Sequence, residues 1–113
     1  MLHLKKLFAI IKRVKSNPLA KYQKKIAQVA KANHVSYLAL FGSYARGEQT
    51  QKSDVDLLVE FNKPVGLIHL IHTEHELEDT IGKKVDLITK AGLSKYIKPY
   101  IQDDLTTLYE KST

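Results

Sequence analysis

Asp54 and Asp56 stand two residues apart in Ser53-Asp54-Val55-Asp56-Leu57, a stretch whose alternating apolar residues predict a strand. Residues i and i+2 of a strand point to the same side, so both carboxylates can hold a hard cation such as magnesium through oxygen ligands. Upstream lies Gly42-Ser43-Tyr44-Ala45-Arg46-Gly47. A Gly-Ser turn opening a helix presents unhindered backbone N–H groups and one hydroxyl at a positive helix end, which suits the β- and γ-phosphates of a nucleotide. A third carboxylate, Asp86 in Val85-Asp86-Leu87, lies in another short apolar run, and pairing of the two strands would set it beside the first two. Two magnesium ions about 4 Å apart would then act together, one lowering the pKa of an attacking hydroxyl, the other stabilising the phosphates and the leaving pyrophosphate. In this scheme Asp54 and Asp56 bind both ions, and Asp86 binds the catalytic ion and assists deprotonation. Gly42 and Ser43 position the triphosphate, Ser53 joins them in the nucleotide-binding set, and Arg46 either contacts phosphate or pins the turn. A lone Gly-Ser turn or D-x-D pair is usually only a turn or a strand end. The ordered set is sharper, because it puts all three features on consecutive strand ends.

The elements that must position these residues are legible from periodicity. Leu4, Leu7, Phe8, Ile11 and Val14 recur at helical spacing and predict an amphipathic helix over residues 2–15. Asn17 and Pro18, a good N-cap and a good first helical residue, predict a second helix over 18–32 that buries Leu19, Tyr22, Ile26, Val29 and Ala30. Residues 35–41 read as a buried strand, 44–48 as a short helix and 48–53 as a surface loop. A second strand, with Asp54 and Asp56 at one end, runs to Phe61. Pro64 is expected to start a helix that buries Leu67, Leu70, Ile71, Leu77 and Ile81 and stops at Gly82. A third strand follows over 83–89, then a helix over 93–105, and residues 106–109 form a short edge strand or fray.

At 113 residues, 43% hydrophobic and 27% charged, the chain has the length and composition of one globular domain. We expect one unit over 1–113, with a basic helical extension at 1–33 and a catalytic core at 35–109. No apolar run approaches the roughly 18 residues needed to span a bilayer, and the 7–11 stretch is short for a signal-peptide core. With no cysteine, disulfides, thiol catalysis and cysteine zinc sites are excluded, and a reducing, cytoplasmic setting is expected. Net charge is +6, unevenly placed: residues 1–47 hold ten Lys or Arg and no acid, whereas the remainder holds eight bases and all twelve acids. Such a basic half suits an acidic protein surface, a triphosphate or nucleic acid, or is a solvated helix face.

The stretch GSYARGEQTQKSDVDLLVEF resembles the G-S-x-A-R-G-x(5)-S-D-x-D-L signature of the MNT-type minimal nucleotidyltransferases of the DNA polymerase β superfamily. KVDLIT resembles their third-carboxylate strand, and the likeness covers roughly residues 35–109. It implies an α/β (α+β) fold, a small mixed sheet flanked by helices, here with two extra N-terminal helices. It also implies magnesium-dependent use of ATP, with AMP transferred and pyrophosphate released. Many proteins of this kind pair with a HEPN-domain ribonuclease toxin and neutralise it by adding AMP to a tyrosine hydroxyl. The resemblance therefore implies an antitoxin in a hetero-oligomer with its toxin.

His69, His72 and His75 recur at i, i+3 spacing but match no H-E-x-x-H zinc pattern, so no metal is assigned there. Tyr22 and Tyr96 sit at core-like spacing and are read as packing. Two other functions compete: a binding antitoxin of the same fold without catalysis, against which the intact acids argue, and a small RNA-binding protein, which leaves the three aspartates unexplained. Nucleic acid is thus not favoured as a partner, and no membrane is expected.

Overall fold

The computed structural model describes residues 18–93 and 104–111. The predicted helix over 2–15, most of the helix expected over 93–105, and Tyr96 lie outside these residues. In chain order the described elements are a 3-10 turn (Ala20–Tyr22), α1 (Gln23–Ala32), β1 (Val35–Phe41), α2 (Ser43–Arg46), β2 (Val55–Phe61), α3 (Leu67–Ile81), β3 (Val85–Thr89), α4 (Lys90–Leu93) and β4 (Thr106–Glu110). Among them no helix is long and apolar enough to cross a membrane.

The four strands form one mixed sheet in the order β3-β2-β1-β4. β1 runs antiparallel to both neighbours, while β2 and β3 are parallel and joined by α3 as the crossover that parallel strands require. Alternation divides the side chains between two faces. Leu38, Leu40, Val55, Leu57, Val59, Val85 and Leu87 point into the main core with Ile26 and Ala30 of α1 and Leu77 and Ile81 of α3. Phe41 and Leu58 point the other way, into a smaller cluster with Leu93 that Ile88 joins at its edge. Asp56 and Asp86 share the parity of Leu58 and Ile88, so they belong to this second face, away from α1 and α3.

Several expectations are corrected. The predicted helix over 18–32 begins as a 3-10 turn and becomes α-helical only at Gln23; of its expected buried residues, Leu19, Ile26 and Ala30 are buried and Tyr22 and Val29 pack from the margin. α3 starts at Leu67 rather than Pro64, because Gly66 takes an extended conformation as N-cap. Leu67 and Ile71, expected inside, are exposed, as is Ile68; the residues α3 buries are Thr73, Leu77 and Ile81. Leu67 lies on the first turn, ahead of the packed part of the helix, and Ile71 is about 100° around the axis from the inward-facing Leu70. The third strand begins at Val85, two residues later than expected, and a short helix, Lys90–Leu93, follows it directly where no helix was expected before residue 93. Thr106–Glu110 is a paired edge strand, so the alternative of a frayed end is set aside.

β3 is also an edge strand, and α3 covers its open side. The N–H of Val85 donates to Glu78 at 3.0 Å and that of Leu87 to Glu74 at 3.0 Å. One helical turn separates the two glutamates, so they reach alternate, outward-facing amides of the strand. Replacing both by alanine is expected to cost about 1 kcal/mol per lost bond, while glutamine, which keeps an acceptor oxygen, should recover most of it. Urea denaturation would show this, and an alanine pair within about 0.5 kcal/mol of wild type, the usual scatter for surface changes, would rule out a structural role for the two carboxylates.

Candidate active site

The sheet register builds the site. Asp56 is the cross-strand neighbour of Phe41, the last residue of β1, and of Asp86 on β3. Adjacent strands are about 4.8 Å apart, so in-register residues of like parity bring their carboxylates close together. Asp54, expected on the strand, lies in the loop immediately before it, and it remains at the same end. Asp54 and Asp86 are exposed, and Asp56 is half-buried.

The pKa of Asp56 is raised above the ordinary 3.8, chiefly because burial disfavours its charge, then because Asp86 and Asp54 repel it; Arg46 opposes the shift. The three aspartates therefore share one electrostatic field. Among the described residues no three acidic or histidine side chains converge closely enough to hold a metal ion by themselves. A set of hard oxygen donors carrying unrelieved negative charge fits magnesium, which binds through one or two carboxylates and completes its shell with water and phosphate oxygens.

The turn after β1 is shaped around Asp56. Gly42 has φ 74° and ψ −154°, a region that side chains exclude, and a Cβ there would collide with Oδ2 of Asp56. The chain then enters α2, whose first intrahelical bond runs from the Arg46 N–H to the Gly42 carbonyl at 3.2 Å. By helix geometry the N–H groups of Ser43, Tyr44 and Ala45 precede that first bond and have no intrahelical carbonyl to meet. These donors and the half-buried Ser43 thus stand at the end of β1 that faces Asp56.

Of the two roles open to Arg46, the structure displays the pinning one. Its guanidinium bonds Asp104 at 3.1 Å and Glu48 at 3.4 Å, tying α2 to the segment that enters β4. Ser53 is engaged in its own loop: its hydroxyl accepts the Thr50 N–H at 2.9 Å, and its N–H donates to the Thr50 carbonyl at 3.1 Å. That turn sets where Asp54 emerges. Asp104 is a positioning residue that sequence reasoning missed; no spacing signal connects it to a residue 58 positions earlier.

The three histidines of α3 do different things. His69 Nε2 donates to the Asn33 carbonyl at 2.8 Å, closing the C-terminus of α1, and His72 pairs with Glu76 on the helix surface. His75 is exposed.

The pattern of a nucleotidyltransferase domain matches residues 23–107. A provisionally named protein adenylyltransferase of Methanocaldococcus jannaschii is 43% identical over 88 residues, which cover 77% of this chain and 87% of the relative. The solved structure of a provisionally named minimal nucleotidyltransferase superposes with a TM-score of 0.70 at 25% identity, covering 80% of this chain and 93% of the other. A Shewanella oneidensis complex, described as a tri-AMPylated HEPN toxin with its MNT antitoxin, is similar in fold, with a TM-score of 0.62 at 19% identity over 81% of this chain and 72% of the other.

Proposed function

Because the chain belongs to the nucleotidyltransferase domain family, we propose that it transfers AMP from ATP to a tyrosine hydroxyl of a HEPN-domain ribonuclease toxin and is that toxin's antitoxin. The observation that carries this reading is Asp56 paired in register with Asp86 and within electrostatic reach of Asp54 at one sheet end, against a glycine turn built around Asp56. Its similarity to protein adenylyltransferases supports AMP as the transferred group, and the fold shared with an antitoxin bound to an AMPylated HEPN toxin supports the acceptor.

The chemistry is an in-line displacement. The acceptor oxygen forms a bond to the α-phosphorus of ATP, the bond from that phosphorus to the bridging oxygen of the β-phosphate breaks, and pyrophosphate departs with the electron pair. Gly42 and the N–H groups at the start of α2, with the Ser43 hydroxyl, hold the triphosphate oxygens. Asp86, the exposed member of the Asp56–Asp86 pair, takes the proton of the attacking hydroxyl and passes it to solvent. Asp54 and Asp56, together with Asp86, would hold two magnesium ions and so would orient the phosphates. When bound, these ions supply charge neutralisation on the phosphates and acidify the attacking hydroxyl. Arg46 and Ser53 keep the turn and the Asp54 loop in place.

The test is a mixture of this chain, its cognate HEPN protein, ATP and magnesium. Intact mass of the HEPN protein should rise by about 329 Da per AMP added, the mass of the group transferred in nucleotidyl chemistry. Its ribonuclease activity should fall in parallel. Asp86→Asn should remove the added mass while retaining the magnesium-ATP thermal shift, since that residue serves the acceptor more than the triphosphate. Inhibition that persists without added mass, and with all three aspartates replaced, would establish a binding-only antitoxin instead.

A further inference from the structure

On the helix side of the same end of the sheet lies a cleft of about 490 Å³ between the 3-10 turn that precedes α1, the end of α3 and the loop after α2. Its floor is apolar: Leu19, Tyr44 and Ile81 are buried and Tyr22 is half-buried. Two exposed lysines from different elements, Lys21 and Lys83, stand at its edge, and no carboxylate lines it. Among the described residues neither lysine forms an ion pair, and Lys21 lies 5.0 Å from the ring centroid of Tyr22. The charge of the lining is one-sided: its ionisable ammonium groups are Lys21, from the acid-free first part of the sequence, and Lys83, just after α3. The remaining wall is Gln49, Thr50 and Gln51, which offer amide and hydroxyl groups.

Resting on the protein acceptor of the proposed function, we infer that this cleft docks an acidic segment of that protein, with an apolar side chain inserted over Leu19 and Ile81 and flanking carboxylates on Lys21 and Lys83. Charge complementarity selects the occupant: an apolar floor beneath two ammonium groups that have no carboxylate partner among the described residues rejects a basic segment and holds an acidic one. Position supplies the purpose. Gln51 is three residues from Asp54, a span of at most about 10 Å that the Thr50–Ser53 turn shortens, so a segment anchored in the cleft needs only a few residues to cross the loop and present a hydroxyl at the aspartates. A nucleobase fits less well, because Tyr44 is 3% exposed and Lys21 stands over the half-buried Tyr22 ring, so the floor offers little open aromatic face for stacking.

The test measures binding of the cognate HEPN protein without ATP, so that docking is read apart from chemistry. Lys21→Glu with Lys83→Glu should weaken that binding about tenfold or more at low salt and raise the KM for the HEPN protein, with kcat and the KM for ATP unchanged. A charge-matched control, Lys31→Glu with Lys63→Glu, alters exposed lysines outside the cleft and should change binding less than about threefold, well under the effect of a docking contact. Equal loss in both double variants would reduce the effect to net charge and overturn the inference, as would unchanged binding in the cleft variant. A rise in the KM for ATP with HEPN binding intact would make the cleft a nucleotide site and also overturn it. Wild-type protein that binds the HEPN protein but adds no AMP would instead refute the proposed reaction and leave docking supported.

Discussion

Asp56→Asn should produce a protein that melts about 2 °C higher at neutral pH without magnesium, yet transfers AMP about 10²- to 10³-fold more slowly. The two effects have one cause. Burial, then Asp86 and Asp54, raise the pKa of Asp56 above 3.8, so the folded protein prefers this group neutral. A group whose pKa is raised by folding contributes its stabilisation fully below its unfolded value, and that contribution is lost as pH rises through the higher folded value. Near neutrality the ionised side chain is a net cost, and asparagine, uncharged throughout, avoids it. The melting temperatures of wild type and variant should therefore nearly coincide below pH 4 and separate as pH rises toward 7. Since Asp56 is only half-buried, the gain is modest, on the order of 0.5 kcal/mol. In magnesium and ATP the order should reverse, because only wild type gains the ligand's stabilisation. Thermal melts from pH 4 to 7.5 in EDTA would check this; a variant no more stable than wild type at pH 7.5 would show that the Asp56 charge is already compensated.

The second large effect is expected at Gly42. Alanine there must hold φ near 74° and ψ near −154° and place its methyl against Oδ2 of Asp56. Backbone strain of about 1–3 kcal/mol and displacement of the carboxylate should together lower stability by about 2–4 kcal/mol, near the upper range for single substitutions, and abolish the magnesium-ATP thermal shift. Gly47 provides the comparison. Its φ is also positive, at 71°, but a Cβ meets nothing within 4 Å, so Gly47→Ala should cost only the left-handed backbone penalty of about 1 kcal/mol and keep the nucleotide response. Urea unfolding and thermal shift on the two variants separate backbone strain from the contact with Asp56. Similar losses in both would mean that the close approach to Asp56 does not matter.

Much of this was legible before any coordinates. The D-x-D spacing of Asp54 and Asp56, the Gly-Ser turn and the apolar run around Asp86 follow period-two and turn chemistry, which act over a few residues and are written locally in the chain. The same holds for β1, β2 and the stop of α3 at Gly82. Near neighbours in the chain fix where the strands and the glycine turn fall, and hence that Asp56 and Asp86 stand near strand starts, because strand alternation and turn preferences act over a few residues. Tertiary structure alone decided what those side chains meet. Burial, and the register that sets Asp86 beside Asp56, raise the pKa of the latter; the fold returns Asp104 to Arg46 and lays Glu74 and Glu78 along the open edge of β3. It also leaves Leu67 and Ile71 outside, where helical period alone placed them inside. These are contacts between residues far apart in sequence, set by how strands align and how far a helix overlaps its sheet, and no short-range pattern encodes them.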